Sequence, residues 1–302
     1  MKNIILYILL GFTVGAIGCS DENKLTPSDQ DIYGYSVPQG EHDYDDKIVA
    51  WKDKYNFFAL YKWVPRDLYW SPTGWSEAKE NPPGSTYLWT IGWNGEPADE
   101  AYVGQQLDLI EKTFVSFYPD STFRRCMPLK MLLCKKLQQI GTNGVATDKN
   151  VYQNFDHLAF SYGNESVLAL TSAQKNALKL EFNLLFLLRL KSNGWIPVSE
   201  LFYTYSDYST NMTSSTYYAR GFVVNNNSDK TNTDWQHYLE AILSTSYEDL
   251  TREVPASDRT FHGILNDTKD TKGLIKKKYK AMIDHFKQYG IDLQNIGNTS
   301  VN

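Results

Sequence analysis

The strongest apolar pattern at helical spacing lies between residues 171 and 191. Leu178, Phe182, Leu185, Phe186, Leu188 and Leu190 cover more than half of a helix circumference, and Thr171 with Gln174 has the spacing of a capping box at its start. An arc that wide needs neighbours on several sides, so a central, buried helix is expected, ending at Ser192, Asn193 and Gly194. Narrower stripes predict surface helices elsewhere. Leu107, Ile110, Phe114 and Phe117 mark one over residues 98–117; Ile275, Tyr279, Met282, Ile283 and Phe286 mark another over 272–288, with Gly290 as its stop. A second capping-box spacing, Thr233 with Gln236, predicts a helix carrying Trp235, Leu239, Ile242 and Leu243.

Before residue 171 the pattern changes to short runs. Residues 56–63 are rich in aromatic and branched types and read as a strand. The continuous apolar run LKMLLCK at 129–135 reads as a buried strand, in which Cys134 shares a face with Leu132 and serves as a small hydrophobe. Phe160, Tyr162 and residues 167–170 suggest further strands, with Gly163 and Asn164 as the turn between them. Pro65, Pro72, Pro82, Pro83 and Pro97 predict a long ordered loop region between 64 and 97, and six of the eight tryptophans lie in or next to it. Strands first and helices afterwards indicate an α+β domain without internal repeats.

The two ends of the pattern differ from the body. Residues 1–18 hold Lys2, an apolar stretch and small residues before Cys19, the layout of a secretory signal. The tetrapeptide AIGC, ending at Cys19, resembles the lipobox of bacterial lipoproteins, which implies cleavage before Cys19 and lipid attachment to its thiol. Ser20, Asp21 and Glu22 resemble the acidic surface-export signals of Bacteroidetes lipoproteins, which implies an outer-membrane lipoprotein facing the cell surface. Residues 19–46 are polar, with Glu41, Asp43, Asp45 and Asp46, and read as a flexible tether to a single domain over 47–296. The run from Leu184 to Leu190 is too short for a membrane span and is broken by Arg189.

Composition adds three exclusions. A formal net charge of -5 without any dense Lys/Arg block excludes nucleic acid as an expected partner. Beyond Cys19 only Cys126 and Cys134 remain, too few for a disulfide scaffold. The five histidines, at 42, 157, 237, 262 and 285, form no HExxH and no other metal-ligand spacing, and no GxSxG occurs. His157, next to Asp156, reads first as a structural histidine and second as a ligand or base. Glu181 is the one acid in the wide apolar arc and must find a partner, a wet cleft or a tighter hold on its proton. His237 and Glu240, at i and i+3, either face one space or line the solvent side of their helix.

The order of these segments resembles the zinc-binding metallopeptidase lipoproteins of Bacteroidetes, a gluzincin-like family. LEFNLLFLLRL at 180–190 corresponds to the family's HExxH helix, with Leu180 and Leu184 at the two zinc-histidine positions and Glu181 at the general base. GFVVNNN at 221–227 and TDWQHYLE at 233–240 resemble the later family segment, with Thr233 replacing its first acid, Asp234 kept and His237 at the third-ligand position. The resemblance covers roughly residues 47–296. It implies a zincin-like fold, a small mixed sheet followed by a mainly helical half with a buried central helix.

Leucine donates no lone pair to zinc, so Glu181 would be a vestigial base without an activated water. No cofactor is expected on this reading. The implied role is a degenerate, non-catalytic metallopeptidase-like domain of a surface lipoprotein, acting in binding or assembly on peptide or glycoprotein. Two alternatives stay open. One is a glycan-binding lipoprotein of a polysaccharide-utilisation system, using Trp70, Trp75, Trp89 and Trp93. The other is an active zinc-dependent peptidase with atypical ligands.

Overall fold

The structure, a computed structural model, describes residues 34–72, 76–82, 84 and 90–302, and its fold is that of the unit Val37–Asn302. In chain order the elements are α1 (Asp45–Tyr55), β1 (Phe58–Leu60), α2 (Pro65–Tyr69), β2 (Gly92–Pro97), α3 (Val103–Thr113), α4 (Asp120–Cys126), β3 (Lys130–Ile140), β4 (Ala146–Asp148), β5 (Val151–Gln153) and β6 (His157–Phe160). The second half holds α5 (Ser172–Ser192), α6 (Glu200–Tyr203), α7 (Lys230–Ser244), α8 (Tyr247–Thr251), α9 (Leu274–Lys287) and α10 (Leu293–Asn298). It is an α+β fold with a small mixed sheet followed by a largely helical region. Among the described residues no helix is long and apolar enough to cross a membrane.

The long strand β3 organises the sheet. Its first residues pair in parallel with β1 and β6, and its later residues pair antiparallel with β2 and β4, while β5 adds antiparallel to β6. The letters follow this change of partner. Lys130 to Cys134 are all buried, as a parallel ladder covered on both faces requires. From Lys135 onward exposed and buried positions intermix, as suits an antiparallel ribbon with one open face. Where β2 crosses, Gly95 is needed for close approach: a Cβ there would stand 2.9 Å from Leu68 Cδ2 and 3.0 Å from the Lys136 carbonyl. Met131, Leu133, Leu158 and Phe160 point into the main core with Phe114, Phe182 and Phe186.

The capping box of α5 is present, with Thr171 N–H donating to Gln174 Oε1 at 2.9 Å and Gln174 N–H to Thr171 Oγ1 at 3.3 Å. The helix is central but not enclosed all round. Leu180, Leu184, Leu185 and Leu188 are only half-buried, whereas the polar Lys179, Asn183 and Arg189 are buried. Each of these is tied to backbone carbonyls: Lys179 to Ile296 and Thr299, Asn183 to Thr113, Arg189 to Asn154 and Phe155.

Several expectations need correction. Helix α7 begins at Lys230, not at Thr233, because Asp229 takes the cap position with φ +42° and Thr233 Oγ1 back-bonds to the Ser228 and Asp229 carbonyls. Residues 165–169, read in part as strand, form a 3₁₀ turn opened by the Asn164 side chain. The compact unit begins ten residues before the expected boundary: Gln39 Oε1 accepts from the Tyr61 and Lys62 amides, and the buried Asp45 accepts from the Tyr61 hydroxyl. It also extends beyond 296, where Val301 is buried and exchanges two hydrogen bonds with Asn176.

Candidate functional site

The four positions that the family resemblance singled out, Leu180, Glu181, Leu184 and His237, do not converge on one space. Glu181 is exposed on α5, and its carboxylate accepts from Asn150 Nδ2 at 2.9 and 3.1 Å. Of the three outcomes expected for this acid, it has a hydrogen-bond partner and lies exposed. Asn150 lines a cleft of about 440 Å3 with Lys135, Lys136, Lys149, Asp148 and Tyr162, and Glu181 is joined to that lining through Asn150. Leu180 lines another cleft, of about 420 Å3, with Ser244, Ser246 and Asp249. One residue is a 100° rotation on a helix, which is why adjacent letters face separate spaces.

Helices α5 and α7 run antiparallel, since Lys191 Nζ reaches Asn232 Oδ1 at 3.4 Å and Leu180 lines one cleft with Ser244 at the other end. His237 therefore lies seven residues from the Leu180 level, about 10 Å along α7. Leu184 packs half-buried against the main core. Among the described residues no group of three His, Cys, Asp or Glu side chains could hold a metal ion, so the donor set does not fit zinc.

His157 is fully buried. Its Nδ1 lies 3.0 Å from Asp156 Oδ1, and Asp156 Oδ2 lies 3.0 Å from Lys130 Nζ, which is 3.5 Å from Asp67 Oδ1. Burial lowers the His157 pKa, with the Asp156 hydrogen bond acting against it, while Asp156 itself is held below the usual carboxylate range by hydrogen bonds from His157 and Lys130 against burial. The chain of charges pins β6 to β3 and α2, and it underlies an aromatic surface: the Tyr152 ring meets His157 edge-on with centroids 5.5 Å apart.

That surface combines stacked rings with a cavity. Trp93 from β2 stacks on Tyr152 from β5, centroids 3.8 Å apart and planes 18° from parallel. Trp70 meets Phe155 edge-on at 6.4 Å, and Asn154 Nδ2 donates to the Trp70 carbonyl at 2.9 Å, fixing the loop after α2 to the end of β5. A cavity of about 350 Å3 opens beside the stack, lined by Tyr69, Ser71, Ser76, Ile91, Trp93 and Tyr152, with Gly92 and Asn154. None of these carries a formal charge, in contrast to the cleft at Asn150. Phe155 is 65% exposed and Ile91 52%, so the apolar surface extends past the cavity rim.

Of the four tryptophans named from the sequence, the structure brings Trp70 and Trp93 to this region, while Trp75 and Trp89, like Cys19, lie outside the described residues. Tyr152 and Phe155 were missed. The only local signal for them was the aromatic letters between two turns, and their pairing with the tryptophans depends on sheet register. Cys134 is fully buried, with its thiol pKa pushed well up by desolvation, as suits a small core residue.

No protein-family model and no curated protein matches this chain. Among solved structures, a Bacteroides caccae protein provisionally described as a zinc-binding metallo-peptidase aligns with 85% of this chain and 91% of its own, at 11% identity and a TM-score of 0.43. The chain thus bears a weak, partial structural resemblance to a zinc metallopeptidase fold.

Proposed function

We propose that this chain is a non-catalytic binding protein, tethered through Cys19 at the outer membrane, whose ligand is an uncharged carbohydrate seated on the Trp93–Tyr152 stack. The observation that carries this reading is the pairing of a half-exposed aromatic stack with a cavity whose described lining offers hydroxyl and amide groups and no formal charge. Sugar rings present apolar C–H faces that lie on aromatic planes and hydroxyl edges that exchange hydrogen bonds with serine, tyrosine and asparagine side chains. Among the described residues that line it, a charged ligand would find no formal charge to pair with. Support for the absence of zincin chemistry is the hydrocarbon at positions 180 and 184, together with a Glu181 carboxylate engaged by Asn150.

The test is a glycan array of neutral polysaccharides followed by titration monitored through tryptophan fluorescence. Trp93→Ala and Tyr152→Ala should each weaken binding at least about tenfold, roughly 1.4 kcal/mol, and Glu181→Gln should leave it unchanged. An array without a neutral glycan ligand, or unaltered affinity in Trp93→Ala, overturns the reading. Peptide binding abolished by Glu181→Gln would favour the cleft at Asn150 instead.

A further inference from the structure

The helical half encloses a pair of groups that the proposed binding site does not use. Lys278 on α9 and Asp234 on α7 are 0% and 2% exposed, and Lys278 Nζ lies 2.5 Å from Asp234 Oδ2. Nζ also donates to the Gly221 carbonyl at 2.9 Å. Four rings surround the nitrogen, Phe222 at 4.5 Å, Phe202 at 4.7 Å, Tyr208 at 5.2 Å and Tyr238 at 5.3 Å from their centroids. The Tyr208 hydroxyl donates to the same Oδ2 at 2.6 Å, and Oδ1 of Asp234, also buried, has no hydrogen-bond partner.

We infer that the Lys278 amine and the Asp234 carboxyl condense to an intramolecular amide that joins α7 to α9. Nζ attacks Cγ, a C–N bond forms, and the bond from Cγ to Oδ2 breaks. The two protons shed by the ammonium leave with Oδ2 as one water, so charge and atoms balance without any oxidant or co-reactant. Tyr208 sits on the departing oxygen and can hand over its proton while recovering one from Nζ. Oδ1 remains as the amide carbonyl, and the N–H left on Nζ keeps the Gly221 carbonyl as its acceptor.

Two physical arguments favour the reaction at this place. Holding amine and carboxyl in contact replaces a bimolecular encounter with an intramolecular one, worth effective concentrations of about 10⁵ M or more when the geometry is productive. Keeping both groups charged away from water carries a desolvation penalty for each ion, whereas an amide carries no charge. Burial also pushes the ammonium down to about 8 and the carboxyl up, so both partners move toward the neutral forms that react.

The test is a tryptic digest of the full-length protein, purified and incubated near neutral pH, then denatured. Lys278 in an amide resists trypsin, so a branched product is expected that joins residues 231–252 to residues 278–280 and is one water lighter than the sum of the two. Tandem mass spectrometry places the link. Lys278→Arg, which keeps a cation in the ring of aromatics, should lose the branched product completely while retaining the circular-dichroism spectrum of the parent. Recovery of both segments only as unlinked peptides from the parent protein, or a link located at other residues, overturns the proposal and leaves an ordinary buried ion pair.

Discussion

At Gly221 one backbone angle sets the geometry of a buried cluster. Its φ of +80° turns a carbonyl toward the Tyr238 hydroxyl and Lys278 Nζ, and a Cβ there would stand 2.7 Å from Ser206 Oγ and 3.0 Å from Leu274 Cβ. Gly221→Ala combines left-handed strain with crowding and should cost about 2 kcal/mol, read as a lowered urea midpoint; an unchanged midpoint would show that the turn relaxes. Thr171→Ala should cost about 1 kcal/mol by removing the cap of α5. Thr171 was legible in the sequence because a capping box closes within four residues. Thr233 has the same spacing to Gln236 and was misread, because Asp229 upstream adopts the left-handed conformation and starts the helix one turn earlier. Glu181 shows the other kind of failure: its helix was found, but its rotation toward Asn150 depends on a loop thirty-one residues away.

Among the elements, α5 shows why a wide apolar arc is an incomplete guide to burial. Leucines along its Glu181 side are half-exposed, and the space around the helix is instead filled where Lys179, Asn183 and Arg189 reach backbone carbonyls. Lys179 holds the carbonyls of Ile296 and Thr299 at 2.5 Å each, so it fastens the end of α10 to α5. Burial lowers its pKa to about 8. Between about pH 8 and the unfolded lysine value near 10.4 the unfolded chain binds the extra proton, and stability rises with pH. Above about pH 10 tyrosines such as Tyr203, raised to about 12 by burial, act in the opposite sense, because the folded state then retains the proton. The raised thiol of Cys134 also acts in that opposite sense above the ordinary thiol range, so the Lys179 contribution is read as a difference: between about pH 7.5 and 9.5 the urea midpoint of the parent should gain on that of Lys179→Met; parallel profiles in the two proteins would remove Lys179 as a contributor. The end of α10 could not be anticipated, since nothing local in residues 296–301 announces a lysine more than a hundred positions earlier.

For the whole molecule, the α+β order of strands before helices follows from the run lengths and periods of the chain, and the buried start of β3 follows from its unbroken apolar letters. The zinc question also belongs at this scale, because a metal site requires side chains from several elements to meet. Elemental analysis of the purified protein should find no stoichiometric zinc, and a chelator should leave its melting temperature unchanged; one zinc per chain would overturn the non-catalytic reading. By itself the sequence determined where the capped central helix begins, that the body is an α+β domain, and that leucine occupies the positions where the family resemblance would require histidine. These are properties of composition and of neighbours within a few residues. Only the tertiary structure decided that Trp93 stacks on Tyr152, that Glu181 turns to Asn150 while Leu180 lines a cleft with Ser244, and that Lys278 meets Asp234 inside four aromatic rings. Each of those meetings joins segments that sheet register, helix rotation and chain return bring together, and no local pattern encodes the sum of such long-range choices.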